Sequence, residues 1–165
     1  MRTPPLSVIV LATSIAVLAG AWFFQLVVGL VPCELCLAER WPWYIALVLS
    51  GVFLGLRRPE VDRYAPALLG LLFLCATGLA AYHVGVEQHW IAGPDACTVS
   101  GNHHAKTIEE LTAEIMAAPV VRCDEIQWSL AGISLAGWDA ILCVCMVVAA
   151  WNARRRRRLA EGYAA

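Results

Sequence analysis

Charged residues are scarce in this chain of 165 residues: they make up 15% of the sequence, against about a quarter in a typical soluble domain. Hydrophobic residues make up 60%, and the mean hydropathy is +0.66. Asp, Glu, Lys and Arg are missing altogether from stretches such as residues 7–30 and 65–86. Apolar stretches of about 20 residues are long enough to cross a bilayer as a helix. The shortage of charge therefore argues against an ordinary soluble domain and predicts an integral membrane protein.

The apolar stretches predict one all-α membrane domain over residues 1–165, a bundle of four transmembrane helices. The spans are expected at about residues 7–30, 37–56, 65–86 and 130–151. A cleaved signal peptide is the alternative for the first, but the apolar core of a signal is shorter, roughly 7–15 residues. The second helix is expected to begin before Pro42, near Cys36, because the stretch after Pro42 is short for a span. In the fourth, either Asp139 faces the bundle, or the helix starts near Ser134 and Asp139 lies closer to the outer surface.

The distribution of basic residues predicts the orientation of the bundle. With both termini in the cytoplasm, nine arginines fall inside, and only three basic residues fall outside. The inside set is Arg2, Arg57, Arg58, Arg63 and Arg154 to Arg158; the outside set is Arg40, Lys106 and Arg122. The positive-inside rule favours this arrangement. The run Arg154 to Arg158 is interpreted as a topology signal and lipid anchor and not as a nucleic-acid patch, and no nucleic-acid partner is expected.

The orientation leaves two polar loops outside the cytoplasm, at about residues 31–41 and 87–129. In the second loop, Thr107 and Glu110 match a capping box. Apolar residues then recur at helical spacing until Pro119. The pattern predicts a short amphipathic helix from about Thr107 to Ala118, lying on the membrane surface or packed on the top of the bundle.

Seven cysteines divide into two groups. Three lie inside apolar runs and are expected to behave as small hydrophobic residues: Cys75, Cys143 and Cys145. Four lie in the two outer loops: Cys33, Cys36, Cys97 and Cys123. An even number of cysteines on the oxidising side of a membrane suggests two disulfides. The alternatives are inert staples, a metal site that also uses the histidines, or redox-active pairs, and the local Cys33-x-x-Cys36 pair favours redox chemistry.

Arg40 follows the first cysteine pair by one helical turn. Thiols at a helix N-terminus are expected to have a lowered pKa, because backbone N–H groups and the helix dipole favour the anion. Arg40 would add a fixed positive charge beside this pair. A cation near the bilayer surface is more commonly an arginine that snorkels to the headgroups. Here it is also a candidate to bind the carbonyl oxygens of a lipid-soluble oxidant.

These features together resemble the bacterial disulfide-bond formation protein B (DsbB) family. The matching residues are Pro32-Cys33-x-x-Cys36-x-x-Glu39-Arg40 after the first span and a second cysteine pair between the third and fourth spans. Cys123-x-x-x-Gln127-Trp128, leading into the last span, is similar to a further family motif. With four spans in the expected orientation, the resemblance covers nearly the whole chain.

The resemblance implies a thiol:quinone oxidoreductase of the bacterial inner membrane with its active site on the periplasmic side. It implies that Cys97–Cys123 oxidises a DsbA-like periplasmic protein and that Cys97 takes the mixed disulfide. Cys123 would then attack Cys33, leaving Cys36 as a thiolate facing ubiquinone or menaquinone from the respiratory pool. Arg40 would stabilise that anion and hold the quinone. The family often has a histidine just after the position of Glu87, and His89 is the candidate for that quinone-site role.

Three rival functions stay open, of which the first is a structural or transport bundle whose disulfides are inert. The other two involve the cysteines directly. One is a metal-binding membrane protein that uses the polar cysteines and histidines as ligands, although no local spacing matches a usual zinc pattern. The other is a relative of the same family that is dedicated to a different thioredoxin-like partner.

Overall fold

The computed structural model describes residues 6–56, 63–94, 98–99, 107–109, 112 and 120–163. These residues form four helices: α1 (Leu6–Leu26), α2 (Glu34–Leu56), α3 (Ala65–Glu87) and α4 (Leu135–Gly162). They also form two short antiparallel ribbons, in which β1 (Thr98–Val99) pairs with β2 (Val120–Val121) and β3 (Ser129–Leu130) pairs with β4 (Ile133–Ser134). The described part of the chain is therefore mostly helical, as predicted.

Three of the four helices are long and apolar enough to cross a membrane: α1, α3 and α4. Helix α2 has the same length as α3, 23 residues. It differs because it carries Glu34, Glu39 and Arg40 near its N-terminus, which lower its hydropathy. A multi-pass membrane protein is thus confirmed, whereas the span at α2 and the cytoplasmic position of both termini stay predictions.

The helices pack in pairs around an aromatic centre. Helix α3 contacts α4 most extensively, and α1 lies mainly against α2, which in turn packs on α3. Close packing of α3 on α4 depends on a small residue, because a Cβ at Gly70 would lie 3.3 Å from the Cβ of Ala150. Trp43 of α2 is buried against Phe73 of α3, with ring centroids 5.0 Å apart. These contacts fix the relative positions of α2, α3 and α4 below the outer loops.

The first residues of α2 and α4 agree with the sequence analysis. Helix α2 begins at Glu34, so the prediction that it starts well before Pro42 is confirmed. Helix α4 begins only at Leu135, where the Ser134 hydroxyl accepts a hydrogen bond from the Gly137 N–H at 3.1 Å. Both alternatives for Asp139 hold together, because α4 starts late and the Asp139 carboxylate still faces the bundle.

The residues before α4 form a hairpin and not the first turn of a span. Ala131 and Gly132, between β3 and β4, have φ values of 54° and 79°. Positive φ at both central residues is the requirement of a two-residue hairpin with a type I′ turn. The expected start of the fourth span at residue 130 is therefore wrong by about one turn of helix at the level of secondary structure.

The predicted helix from Thr107 to Ala118 lies largely outside the described residues. Of this segment the structure describes residues 107–109 and 112. The Thr112 hydroxyl donates to the Ile108 carbonyl at 2.8 Å, a spacing of one helical turn. The loop helix stays a prediction, and Cys97 also lies outside the described residues.

Candidate functional site

Cys33 and Cys36 lie at the N-terminus of α2, where the backbone holds both sulfurs together. Cys33 is the residue before the helix, and its carbonyl accepts the first helical hydrogen bond, from the Leu37 N–H at 3.1 Å. Its Sγ accepts from the Cys36 N–H at 3.2 Å, as the side chain of an N-cap residue does. The two Sγ atoms are 2.8 Å apart, and neither cysteine is in a disulfide. The helix start therefore presets this pair for disulfide formation.

The environment of Cys33 favours the thiol and not the thiolate. Its hydrogen bond to Cys36 and its burial raise the pKa of Cys33 to about 12, and only 1% of the residue is exposed. The expectation of a lowered pKa at the helix N-terminus is therefore wrong for Cys33. The single backbone N–H that reaches the sulfur stabilises the anion less than burial destabilises it. Among the groups that act in the opposite direction is the side chain of His83.

His83 and Glu39 form a buried pair directly behind Cys33. The Nε2 atom of His83 lies 3.6 Å from the Cys33 Sγ, and its Nδ1 lies 2.9 Å from the Glu39 Oε1. His83 is 2% exposed and Glu39 9%. Glu39 belongs to a sequence motif but had no predicted role, and no motif pointed to His83. The structure instead aligns sulfur, imidazole and carboxylate in one row between α2 and α3.

Cys123 packs against Cys33 from the outer side. It belongs to a small cluster in which Cys33, Leu35 and Val86 are buried and Val121 and Cys123 are partly buried. The Cys123 thiol interacts with the Cys33 side chain and with the backbone N–H groups of Glu34 and Leu35. Burial raises the pKa of Cys123. The structure thus brings together three cysteines that the sequence separates: two at α2 and one before α4.

Two local features hold the segment around Cys123. The Arg122 guanidinium donates to both carboxylate oxygens of Asp124, at 2.9 and 2.6 Å, and this lowers the pKa of Asp124. Thr98 pairs with Val121 in the β1–β2 ribbon. The residue after Cys97 is therefore joined by the ribbon to a residue two positions before Cys123, although Cys97 itself is outside the described residues.

A cavity of about 470 Å³ opens beside the cysteine pair, with walls from all four helices. Cys33, Cys36 and Arg40 line it together. The Arg40 guanidinium donates to the Gln25 Oε1 at 2.6 Å and lies 5.6 Å from the centre of the Trp22 ring. Helix α1 therefore holds the guanidinium in place, so that Arg40 is more than a headgroup-seeking arginine.

Acidic side chains lie on the opposite side of the same cavity. Asp139 accepts a hydrogen bond from the Trp43 indole at 2.7 Å, and Glu87 accepts one from the Ser134 hydroxyl. Both residues line the cavity together with Glu39. Glu125 lines it as well, so the cavity is largely apolar with one arginine near Cys36 and four carboxyl groups around it.

The predicted quinone-site histidine, His89, does not line this cavity. It is exposed just beyond the end of α3, with φ of 59°, and its Nδ1 lies 3.3 Å from the Val86 carbonyl. The histidine that lines the cavity is His83, one and a half turns earlier. Two signals could have identified it: a histidine inside an apolar span, and a glutamate within α2. Ionisable residues inside membrane segments usually pair with one another.

The remaining cysteines behave as the sequence predicts. Cys143 is buried, whereas Cys145 and Cys75 are exposed on the outside of the bundle. Cys143 and Cys145 therefore occupy different faces of α4 and do not form a local pair.

The spacing of Cys33, Cys36 and His83 bears on the metal alternative. Their ligand atoms lie within 4.8 Å of one another. Two sulfurs on one tetrahedral zinc ion are about 3.7 Å apart, given Zn–S bonds of about 2.3 Å. At 2.8 Å the sulfurs are too close for that arrangement. The geometry favours a pair that exchanges a disulfide.

Comparisons with known proteins agree with this geometry. The family described as "Disulfide bond formation protein DsbB" matches residues 3–153. A protein of Paracidovorax citrulli named Disulfide bond formation protein B is 32% identical over 144 residues, which cover 84% of this chain and 78% of the relative. A protein of Nitrosococcus oceani with the same name is 30% identical, over 84% of this chain and 83% of the relative. No solved structure matches significantly.

Proposed function

The chain belongs to the DsbB family of disulfide bond formation proteins, and on that premise we propose that it reoxidises a periplasmic DsbA-like dithiol protein and passes the electrons to a membrane quinone. A role in disulfide formation at a membrane follows from the family and from three apolar helices. The quinone, the DsbA-like partner and the roles of individual cysteines are the proposed part.

One observation carries the proposal: Cys33 touches a loop cysteine on one side, and its partner Cys36 faces a cavity on the other. Cys123 interacts with the Cys33 side chain, and the Cys33 and Cys36 sulfurs are 2.8 Å apart. Cys36 lines the cavity that also contains Arg40. Electrons that enter at Cys123 thus have a continuous route to the cavity.

The proposed route consists of thiol–disulfide exchanges. A thiolate of the reduced partner attacks Cys97, breaks the Cys97–Cys123 bond and leaves Cys123 as a thiolate. Cys123 then attacks Cys33, and the Cys33–Cys36 bond breaks so that its electron pair stays on Cys36. A second partner thiol resolves the mixed disulfide at Cys97, which releases the oxidised partner. The Cys97 thiolate then attacks Cys123, which re-forms the Cys97–Cys123 bond and releases Cys33. Cys33 and Cys36 can re-form their disulfide only when a quinone takes the two electrons.

The cavity suits a quinone headgroup. Its volume of about 470 Å³ lies within the usual 300–1,000 Å³ range of small-molecule sites. Arg40 has five N–H donors, of which one is directed to Gln25, so others remain for a carbonyl oxygen. Phe24 and Trp128, with ring centroids 4.8 Å apart, line the same space. A bound quinone would supply the two-electron acceptor; Arg40 and Gln25 would orient it beside Cys36.

The same proposal sets the location. The cysteine pair lies at the N-terminus of α2, and the arginine run lies towards the C-terminus of α4, at the other end of the bundle. The positive-inside rule then puts Arg154 to Arg158 in the cytoplasm and the site at the periplasmic face of the inner membrane. Disulfide chemistry is sustained on that side.

Quinone reduction by the purified protein tests the proposal. The protein, in detergent or liposomes, is given a reduced DsbA-like protein and a soluble quinone, and quinone absorbance and partner thiols are followed together. We expect one quinone reduced for every two thiols lost. Cys33→Ser should abolish turnover, whereas Cys145→Ser, at an exposed cysteine away from the site, should not.

The rival functions give different results in the same assay. A metal-binding protein would contain stoichiometric zinc, and chelation would free its thiols without any quinone reduction. A relative with another partner would reduce quinone when fed a different thioredoxin-like dithiol protein but not when fed the DsbA-like one.

A further inference from the structure

Cys33 has a chemical difficulty that the exchange route does not resolve. To close the bond with Cys36, the Cys33 sulfur must lose its proton. Burial and the hydrogen bond to Cys36 raise its pKa to about 12, which keeps it a thiol at neutral pH. The thiolate, and not the thiol, is the nucleophile. A base in contact with Cys33 is therefore required for rapid turnover.

We propose that His83 is this base, a catalytic residue that takes the proton of Cys33, and that Glu39 is a positioning residue that holds His83 for the transfer. This inference rests on the proposed function and deepens it. The Nε2 atom of His83 lies 3.6 Å from the Cys33 Sγ, within the range of a hydrogen bond to sulfur. It is the imidazole nitrogen directed at the reacting atom.

Glu39 determines which nitrogen of His83 is free. An ionised carboxylate only accepts hydrogen bonds. At 2.9 Å from the Glu39 Oε1, Nδ1 therefore carries the hydrogen, and Nε2 presents its lone pair to Cys33. A carboxylate in this position also stabilises the imidazolium that forms when the proton arrives. Burial of both residues strengthens that stabilisation, because the effective dielectric constant falls away from water.

The chemical balance of the step is simple. The S–S bond between Cys33 and Cys36 forms as the S–H bond of Cys33 breaks and the Cys36 thiolate gives up its negative charge. Two electrons go to the quinone, which becomes the quinol by taking up the Cys33 proton and one proton from solution. The proton from Cys33 passes first to His83 Nε2, which then carries the charge beside Glu39. His83 is neutral again once that proton has left through the cavity that it lines.

Other ionisable groups surround the pair on every side. Helix α2 contributes Cys36 and Arg40, α3 contributes Glu87, α4 contributes Asp139, and the segment before α4 contributes Glu125; α1 carries no charged residue. Glu87 and Asp139 both interact electrostatically with Glu39. Among the carboxyl groups of the described residues, Glu39 alone hydrogen-bonds to His83, so its effect is separable from that of Glu87 and Asp139.

The alkylation of Cys33 tests the proposal without any quinone. Quinone-depleted protein with the Cys36→Ala substitution is kept reduced and anaerobic, with a chelator present. The rate of iodoacetamide reaction at Cys33 is followed against pH by site-resolved mass spectrometry. An opposite charge within about 4–6 Å shifts a pKa by about 1–3 units. His83→Gln should therefore raise the pH midpoint by about one unit or more and slow the reaction at pH 7 about tenfold.

Glu39 and His89 supply the second variant and the control. Glu39→Gln should shift the midpoint in the same direction by less, and Glu39→Asp should restore part of it. His89→Gln, a matched substitution at an exposed histidine outside the cavity, should leave the midpoint unchanged. A purely structural pair would alter thermal unfolding but not the midpoint.

The outcomes separate this inference from the proposed function. Midpoints equal to wild type in folded His83→Gln and Glu39→Gln overturn the role of His83; if His83→Gln does not fold, Glu39→Gln alone decides. Failure of wild-type protein to reduce quinone overturns the proposed function but leaves the alkylation result standing. With quinone turnover intact, kcat of His83→Gln should fall and recover as the pH rises.

Discussion

Gln25 offers the sharpest test of the cavity, because it acts on Arg40 without changing any charge. The Gln25 Oε1 accepts from the Arg40 guanidinium at 2.6 Å. Gln25→Leu keeps nearly the same volume and removes the acceptor. The guanidinium then loses its fixed position in the wall of the cavity, although its positive charge remains.

The structure sets the size of the expected effect. A hydrogen bond to a charged group contributes roughly 1.5–3 kcal/mol, and each 1.4 kcal/mol corresponds to about a tenfold change. The contact with the half-exposed Trp22 ring contributes about 0.5–1 kcal/mol and survives the substitution. We therefore expect Gln25→Leu to raise the KM for a soluble quinone about tenfold and Arg40→Met to raise it further.

The assay is steady-state quinone reduction with a saturating dithiol partner. Both variants should still form the Cys33–Cys36 disulfide, as judged by thiol counting. Arg63→Met is the matched control, because Arg63 is exposed over the Tyr64 ring in the opposite connection, before α3. An unchanged KM in Gln25→Leu, or an equal rise in Arg63→Met, would refute the role assigned to Arg40.

Three further expectations follow from the described contacts. Cys123→Ser should accumulate a partner adduct on Cys97, seen as a mixed disulfide on a non-reducing gel. The reason is that Cys97 has lost the cysteine with which it forms its own disulfide. Ser134→Ala removes the N-cap of α4 and should cost about 1 kcal/mol of stability, measured by thermal unfolding in detergent. Cys75→Ser, at an exposed position on α3, should leave quinone turnover near wild type; a large loss would show a role for that thiol.

The sequence predicted the helical architecture because its signals are local. Spans follow from runs without charge, and the late start of α4 follows from the position of Ser134 before the apolar run. Helix α2 was recognised as starting before Pro42 because the remaining stretch was too short for a span. The hairpin at Ala131 and Gly132 was missed, since its residues are continuous with an apolar run.

The candidate site was predictable only where its residues carry a motif. Cys33, Cys36, Cys123 and Arg40 belong to motifs, and the structure brings all four to one end of the bundle. The contact between His83 and Glu39 joins residues 44 positions apart on two helices. Glu39 is next to Arg40 in the sequence, but the structure pairs it with His83. Such a partner depends on helix rotation, which spacing within one helix does not determine.

The most direct test of the central claim is the disulfide formed when Cys36 is removed. In Cys36→Ser, Cys33 has no partner of its own, and its thiolate can attack Cys123 and release Cys97 from the Cys97–Cys123 bond. The account therefore predicts that a Cys33–Cys123 disulfide accumulates and is found by peptide mass spectrometry. Cys33→Ser should show no such product. A Cys33 that stays free in Cys36→Ser, or that pairs with Cys97 in place of Cys123, would contradict the claim that the two cysteine pairs communicate through Cys33 and Cys123.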